Sequence, residues 1–121
     1  MPEIPISSKA ALLQALQTEF PTVEPLSIDS IDAYNEGNDL IKSKKYYKAK
    51  QIFKTLIVSA PDDFYGYEGL AKVYKAQGKT TEALFMINEA LSLAQPQVAG
   101  GSVDIEVVEE FQTIKQSLET Q

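Results

Sequence analysis

The chain has 121 residues, with no cysteine, no histidine and no arginine, and its 17 acids outweigh 11 lysines to leave a net charge of −6. A chain of this length makes one domain with a modest core. Its composition excludes disulfides and removes imidazole and thiolate from catalysis and metal binding. It lacks the basic footprint and arginine forks that nucleic-acid binders use. Apolar content is 44%, no apolar run approaches the roughly 20 residues of a membrane span, and the segment from Met1 to Leu16 has no basic front region of the kind a secretory signal carries. The expectation is a cytoplasmic protein with no cofactor, no metal, no nucleic-acid partner and no membrane partner.

In chain order, Ser7 is placed to cap a first helix over 7–20, which carries Leu12, Leu13, Leu16 and Phe20 and is ended by Pro21. Residues 21–29 read as a linker. A helical region follows from Ser30, and beyond it Lys42, Lys44, Lys45, Lys48, Lys50 and Lys54 fall in one acid-free window. That window reads either as a solvated edge or as a docking site for an acidic partner. Ala49, Ile52, Phe53, Leu56 and Ile57 recur at spacings of three and four, which is one apolar helical face. Ala60-Pro61 ends that helix, because the residue before proline is pushed out of helical geometry. Asp62 or Asp63 is placed to cap the next helix, which carries Tyr67, Leu70, Ala71 and Tyr74 and stops at Gln77-Gly78. Thr80 or Thr81 restarts a helix with Ala83, Leu84, Ile87, Ala90 and Leu91, and Pro96 is expected just past its end. Gly100-Gly101 break the chain. Ser102 then opens a last helix over 102–119, whose stripe of Val107, Val108, Phe111, Ile114 and Leu118 serves either as a cap on the helices before it or as the seam of a homodimer.

The chain also repeats itself. Gly37 and Ala71, Leu40 and Tyr74, Ala49 and Ala83, Phe53 and Ile87, Leu56 and Ala90, and Ile57 and Leu91 each stand 34 residues apart. A fixed period with small, large and proline residues in set places is the mark of a helical repeat. With this period and pattern, the chain from Ser30 to Gln97 resembles the tetratricopeptide repeat family, with one repeat over 30–63 and a second over 64–97. The resemblance implies an all-α fold of antiparallel helix pairs stacked as a short superhelix, flanked by the helices at 7–20 and 102–119. Small residues at Gly37, Ala49, Ala71 and Ala83 let paired helices approach, and Phe53, Leu70 and Tyr74 fill the space between. The sequence departs from the family at Ala33 and Tyr67, where tryptophan is usual, and at Glu36, where leucine is usual.

Catalytic signals are lacking. Gly78-Lys79-Thr80 copies the tail of a phosphate-binding loop, but Val73 stands where that loop needs glycine, and the setting is helix-turn-helix instead of strand-loop-helix. Asp62-Asp63 have no calcium-loop spacing around them. The chain therefore reads as no enzyme, and binding is the remaining class.

In the family that it resembles, the first helices of stacked pairs line a concave groove that holds a segment of another protein. On that pattern the groove is expected to present Ile31, Tyr34, Asn38, Ile41 and Lys42 from the first repeat and Tyr65, Glu68, Lys72 and Lys75 from the second. The resemblance implies an adaptor or chaperone. One branch grips the C-terminal carboxylate of heat-shock chaperones. Asn38 matches one of its places, but Tyr34 stands where that branch has lysine. The stretch FKTLIVSAPDDFYGYEGLAKVYKAQGKTTEAL also resembles the class II chaperones of type III secretion, which hold hydrophobic translocator proteins before export. A structural, self-assembling repeat protein is the further alternative.

Overall fold

A computed structural model describes residues 8–21 and 29–120. The described residues form six helices and no strand: α1 Lys9–Glu19, α2 Ser30–Lys42, α3 Tyr46–Ser59, α4 Tyr65–Ala76, α5 Thr80–Ala99 and α6 Ile105–Glu119. The expected cap Ser7 and the linker residues 22–28 lie outside the described residues. Among those described, no helix is long and apolar enough to cross a membrane.

Ser8 holds an extended backbone before α1, and its hydroxyl accepts from the Ala11 N–H at 3.1 Å. Asp29 does the same for α2, accepting from the Asp32 N–H at 2.9 Å. Each of these bonds satisfies a donor that has no partner within its helix. Short turns join α2 to α3, α3 to α4 and α4 to α5, so consecutive helices run antiparallel. α2 also lies beside α4, and α6 packs on α5.

The turns after α2 and α4 are copies of one another, one period apart. Lys44 (φ 59°) and Gly78 (φ 75°) are both left-handed. The Lys44 N–H donates to the Ile41 carbonyl and the Lys45 N–H to the Leu40 carbonyl. Gly78 and Lys79 repeat this on Lys75 and Tyr74. These bonds use carbonyls left free by the helix end, the usual chemistry of a left-handed helix exit.

Three expected boundaries move. Asp62 and Asp63 do not cap α4: its N-cap is Phe64, in right-handed helical conformation and without a side-chain cap bond. The chain there winds through a turn closed by the Asp63 N–H on the Ala60 carbonyl, and the N-cap position passes to Phe64, whose side chain has no acceptor to offer. Pro96 does not stop α5, which runs through it to Ala99. Only the bond from residue 96 back to Ser92 is lost, and both residues are exposed, where water can replace it. The stop comes at Gly101, left-handed at φ 81°. Nor does Ser102 open α6; its N–H and hydroxyl both donate to the Gln97 carbonyl and close α5, while Asp104 is the N-cap of α6.

The core centres on Phe53, which is fully buried. Its ring lies between Gly37 of α2 and Gly69 of α4, so close that a methyl group on either glycine would overlap it. Leu56, Leu70, Val73, Met86 and Ile87 continue the core between α3, α4 and α5. The stripe on α6 packs within the chain: Val108, Phe111 and Leu118 are buried, and the Phe111 ring meets Phe64 edge-on at 5.4 Å. α1 lies against α5 and is tied to α3 by two lysines. The Lys54 ammonium, buried, donates to the Phe20 carbonyl at 2.9 Å and to Gln17 Oε1 at 3.0 Å. Lys50 pairs with Glu19 at 2.9 Å and lies near the Phe20 and Tyr74 rings. The lysine window thus divides: Lys50 and Lys54 are buried under α1, and Lys42, Lys44, Lys45 and Lys48 remain exposed.

Candidate functional site: the face of α2, α4 and α6

Where α2 runs beside α4, residues one period apart meet. Tyr34 and Asn38, one turn apart on α2, face Glu68 and Lys72, one turn apart on α4. The Tyr34 hydroxyl donates to both oxygens of Glu68, at 2.7 and 2.6 Å. Lys72 Nζ pairs with Glu68 at 2.9 Å, donates to Asn38 Oδ1 at 3.0 Å and lies 3.1 Å from the Tyr34 hydroxyl. The ammonium also lies 5.0 Å from the centre of the Tyr34 ring. Glu68 is only 2% exposed, a burial that a carboxylate tolerates only when its charge is paired and its oxygens are bonded. Both conditions are met here.

The titration behaviour follows from this packing. Burial holds the Tyr34 hydroxyl above the usual phenol range, and the neighbouring Glu68 charge adds to the shift, against a smaller opposing effect of Lys72. For Lys72, burial works against the charged ammonium, but the Glu68 carboxylate and the bonds to Glu68 and Tyr34 outweigh it, and the net shift is upward. Tyr65 is raised by burial, then by the charges of Asp63 and Glu68.

Tyr34, Asn38, Tyr65, Glu68 and Lys72 thus form one cluster, with the Tyr65 ring 4.9 Å from that of Tyr34. Ile31 stands at the N-terminal end of α2, 56% exposed. Ile41 leans on the core and Lys42 is exposed at the far end of α2. Lys75 belongs to a different feature. With Lys72, Ala76, Glu110 and Ile114 it lines an open cleft of about 480 Å³ between α4 and α6. Glu110 and Ile114 are therefore part of the face, although the repeat pattern does not reach them. α5 runs 20 residues, and this extra length pushes α6 out of the period. A second cleft of about 530 Å³ lies between the α3–α4 turn and the α5–α6 connection, lined by Asp62, Asp63, Tyr65, Gln97 and Val103 among others.

Chemically, the Tyr34–Glu68–Lys72–Asn38 cluster is a strut between two helices. Its charges cancel locally and its polar atoms are used on one another. What it offers outward is the aromatic surface of Tyr34 and Tyr65, held in one arrangement. Comparison with protein-family models, curated proteins and solved structures finds no match to this chain.

Proposed function

We infer that the chain is a non-enzymatic module of tetratricopeptide type, an adaptor or chaperone that holds a segment of a partner protein along the face of α2, α4 and α6. The observation that carries this reading is the pairing of Tyr34 with Glu68 and of Asn38 with Lys72 between neighbouring helices, each pair 34 residues apart. Equivalent positions lie side by side, as stacking of like helix pairs requires. A face locked in this way loses little conformational freedom when a partner settles on it, which favours binding. Exposed Ile31 at one end and the cleft beside Ile114 at the other supply apolar contact area. The setting is the cytoplasm, and in the secretion-chaperone form of the reading the partner is a hydrophobic translocator.

The test is affinity capture from the native host by tagged wild-type chain and by a folded Ile31→Asp/Lys75→Glu variant. Both changes lie outside the Glu68 strut and leave it intact. A dominant captured protein, bound about tenfold or more weakly by the variant, matches loss of an interface hot spot of roughly 1–2 kcal/mol. Equal capture by both chains would remove the partner from this face.

A further inference from the structure

The two ends of the helix stack carry opposite charge. At one end lie the α2–α3 and α4–α5 turns. There the segments 42–48 and 75–81 contain Lys42, Lys44, Lys45, Lys48, Lys75 and Lys79 and no acid, and the bordering acids Asp39 and Glu82 are outnumbered by these lysines, so the end stays positive. At the other end lie the starts of α2, α4 and α6. There the segments 29–35, 58–66 and 97–109 contain Asp29, Asp32, Asp62, Asp63, Asp104 and Glu106 among their acids, and no lysine. α2 spans 13 residues, so the ends stand about 20 Å apart at the helical rise of about 1.5 Å per residue. That is about two screening lengths at physiological salt. Each end therefore acts by its own charge, and the net value of −6 describes neither.

Shape follows the same division. At the lysine end Tyr47 projects, 60% exposed, among Lys44, Lys45 and Lys48, and its ring is steadied by Phe20 at 5.0 Å. At the acidic end is the cleft of about 530 Å³ walled by Asp62, Asp63, Tyr65 and Val103. Ile31, Val58 and Ile105 lie exposed at that end. The described ion pairs engage none of the four lysines from Lys42 to Lys48.

We propose that the lysine end of one copy of this chain docks on the acidic end of another, with Tyr47 entering the cleft beside Asp62 and Asp63 and Lys45 and Lys48 facing those carboxylates. The molecule carries both halves of the contact, one complementary to the other in charge and in form, which is why a second copy is the occupant. An aromatic ring with a polar tip suits a cleft with apolar and acidic walls. Because the two surfaces differ, the contact is head-to-tail and propagates into a chain or a ring. The residues that make the contact (Tyr47, Lys45, Lys48, Asp62 and Asp63) all lie outside the partner-binding face, which shares with the two ends only Tyr65 of the cleft wall and the flanking Ile31, Lys42 and Lys75.

The test uses two full-length variants, Lys45→Glu/Lys48→Glu and Asp62→Lys/Asp63→Lys. The first adds acids at the start of α3, where the helix dipole favours them, and the second removes no side-chain cap from α4, so both should fold, as circular dichroism would check. Mass is measured by sedimentation from about 10 µM to about 1 mM, at roughly 50 mM and 500 mM salt. The expected result is a wild-type mass that grows with concentration at low salt and falls to monomer at high salt. Each variant alone stays monomeric. An equimolar mixture associates again, because one variant retains a working acidic end, the other a working lysine end, and the two reversed ends are once more opposite in charge. Tyr47→Ala should weaken wild-type association at least tenfold without touching a charge. A wild-type chain that stays monomeric throughout overturns the proposal. So does assembly of either variant alone, or a mixture that fails to pair, since each places the contact elsewhere.

Discussion

The Phe53 ring rests on the backbone of α4 at Gly69, with no room between them for a methyl group. Phe53 is fully buried and held from its other side by Gly37 of α2, so it has nowhere to retreat. Gly69→Ala is expected to destabilise the chain by about 1–3 kcal/mol, the usual range for overpacking a filled core, despite the better helix propensity of alanine. Urea unfolding followed by circular dichroism measures this as a lower midpoint. A midpoint equal to or above wild type would show that α2 and α4 are not wedged around this ring.

The two copied turns make a paired prediction. Gly78 suits its left-handed geometry, whereas Lys44 adopts the same geometry against the preference of a side chain. Nothing lies within 4 Å of a side chain placed at Gly78, so the cost of adding one there is conformational alone. Lys44→Gly should raise stability by up to about 1 kcal/mol and Gly78→Ala should lower it by about the same. Opposite shifts in thermal midpoint meet the prediction; shifts of the same sign sink it.

Much of this architecture is legible in the residue order, because helix stops are local chemistry. Ala60-Pro61 and Gln77-Gly78 end helices where their own backbone preferences say they should. Proline at 96 misleads because its effect depends on whether the lost bond faces water. Lys50 and Lys54 read as part of a solvated lysine run, and nothing near them in sequence reveals that α1 lies over them. Tyr34 and Glu68 are a different case. The groove pattern puts both on one face without joining them, although their separation of one full period is itself the signal that they meet. Glu110 and Ile114 had no such signal, since α6 falls out of the period.

Lys54 tests the attachment of α1. Its buried ammonium bonds the Phe20 carbonyl and Gln17, and Lys54→Met keeps much of the side-chain bulk while removing both bonds. Loss of the partner to the buried Phe20 carbonyl costs roughly 1–3 kcal/mol, and the effect should fall first on α1. Hydrogen exchange should show faster amide exchange across α1 and unchanged protection in α4 and α5. Uniform acceleration through all helices would mean instead that α1 unfolds only with the whole domain.

The pH dependence has a definite sign. Tyr34, Tyr65, Lys72 and Tyr74 are all held above their ordinary values, Tyr74 chiefly by burial. The folded chain therefore keeps these protons more tightly than the unfolded chain does. The stability they contribute is complete below about pH 10, where both states are protonated, and is lost as pH rises through the raised folded values. Thermal midpoints measured from pH 7 to about pH 12 should fall steeply above about pH 10. Tyr34→Phe cannot ionise at that position, so its curve should decline less steeply there. At neutral pH it should start lower by about 1–2 kcal/mol, because Glu68 loses a donor while still buried. Parallel curves for the two proteins across the alkaline range would show that the Tyr34 proton is not part of the strut between α2 and α4.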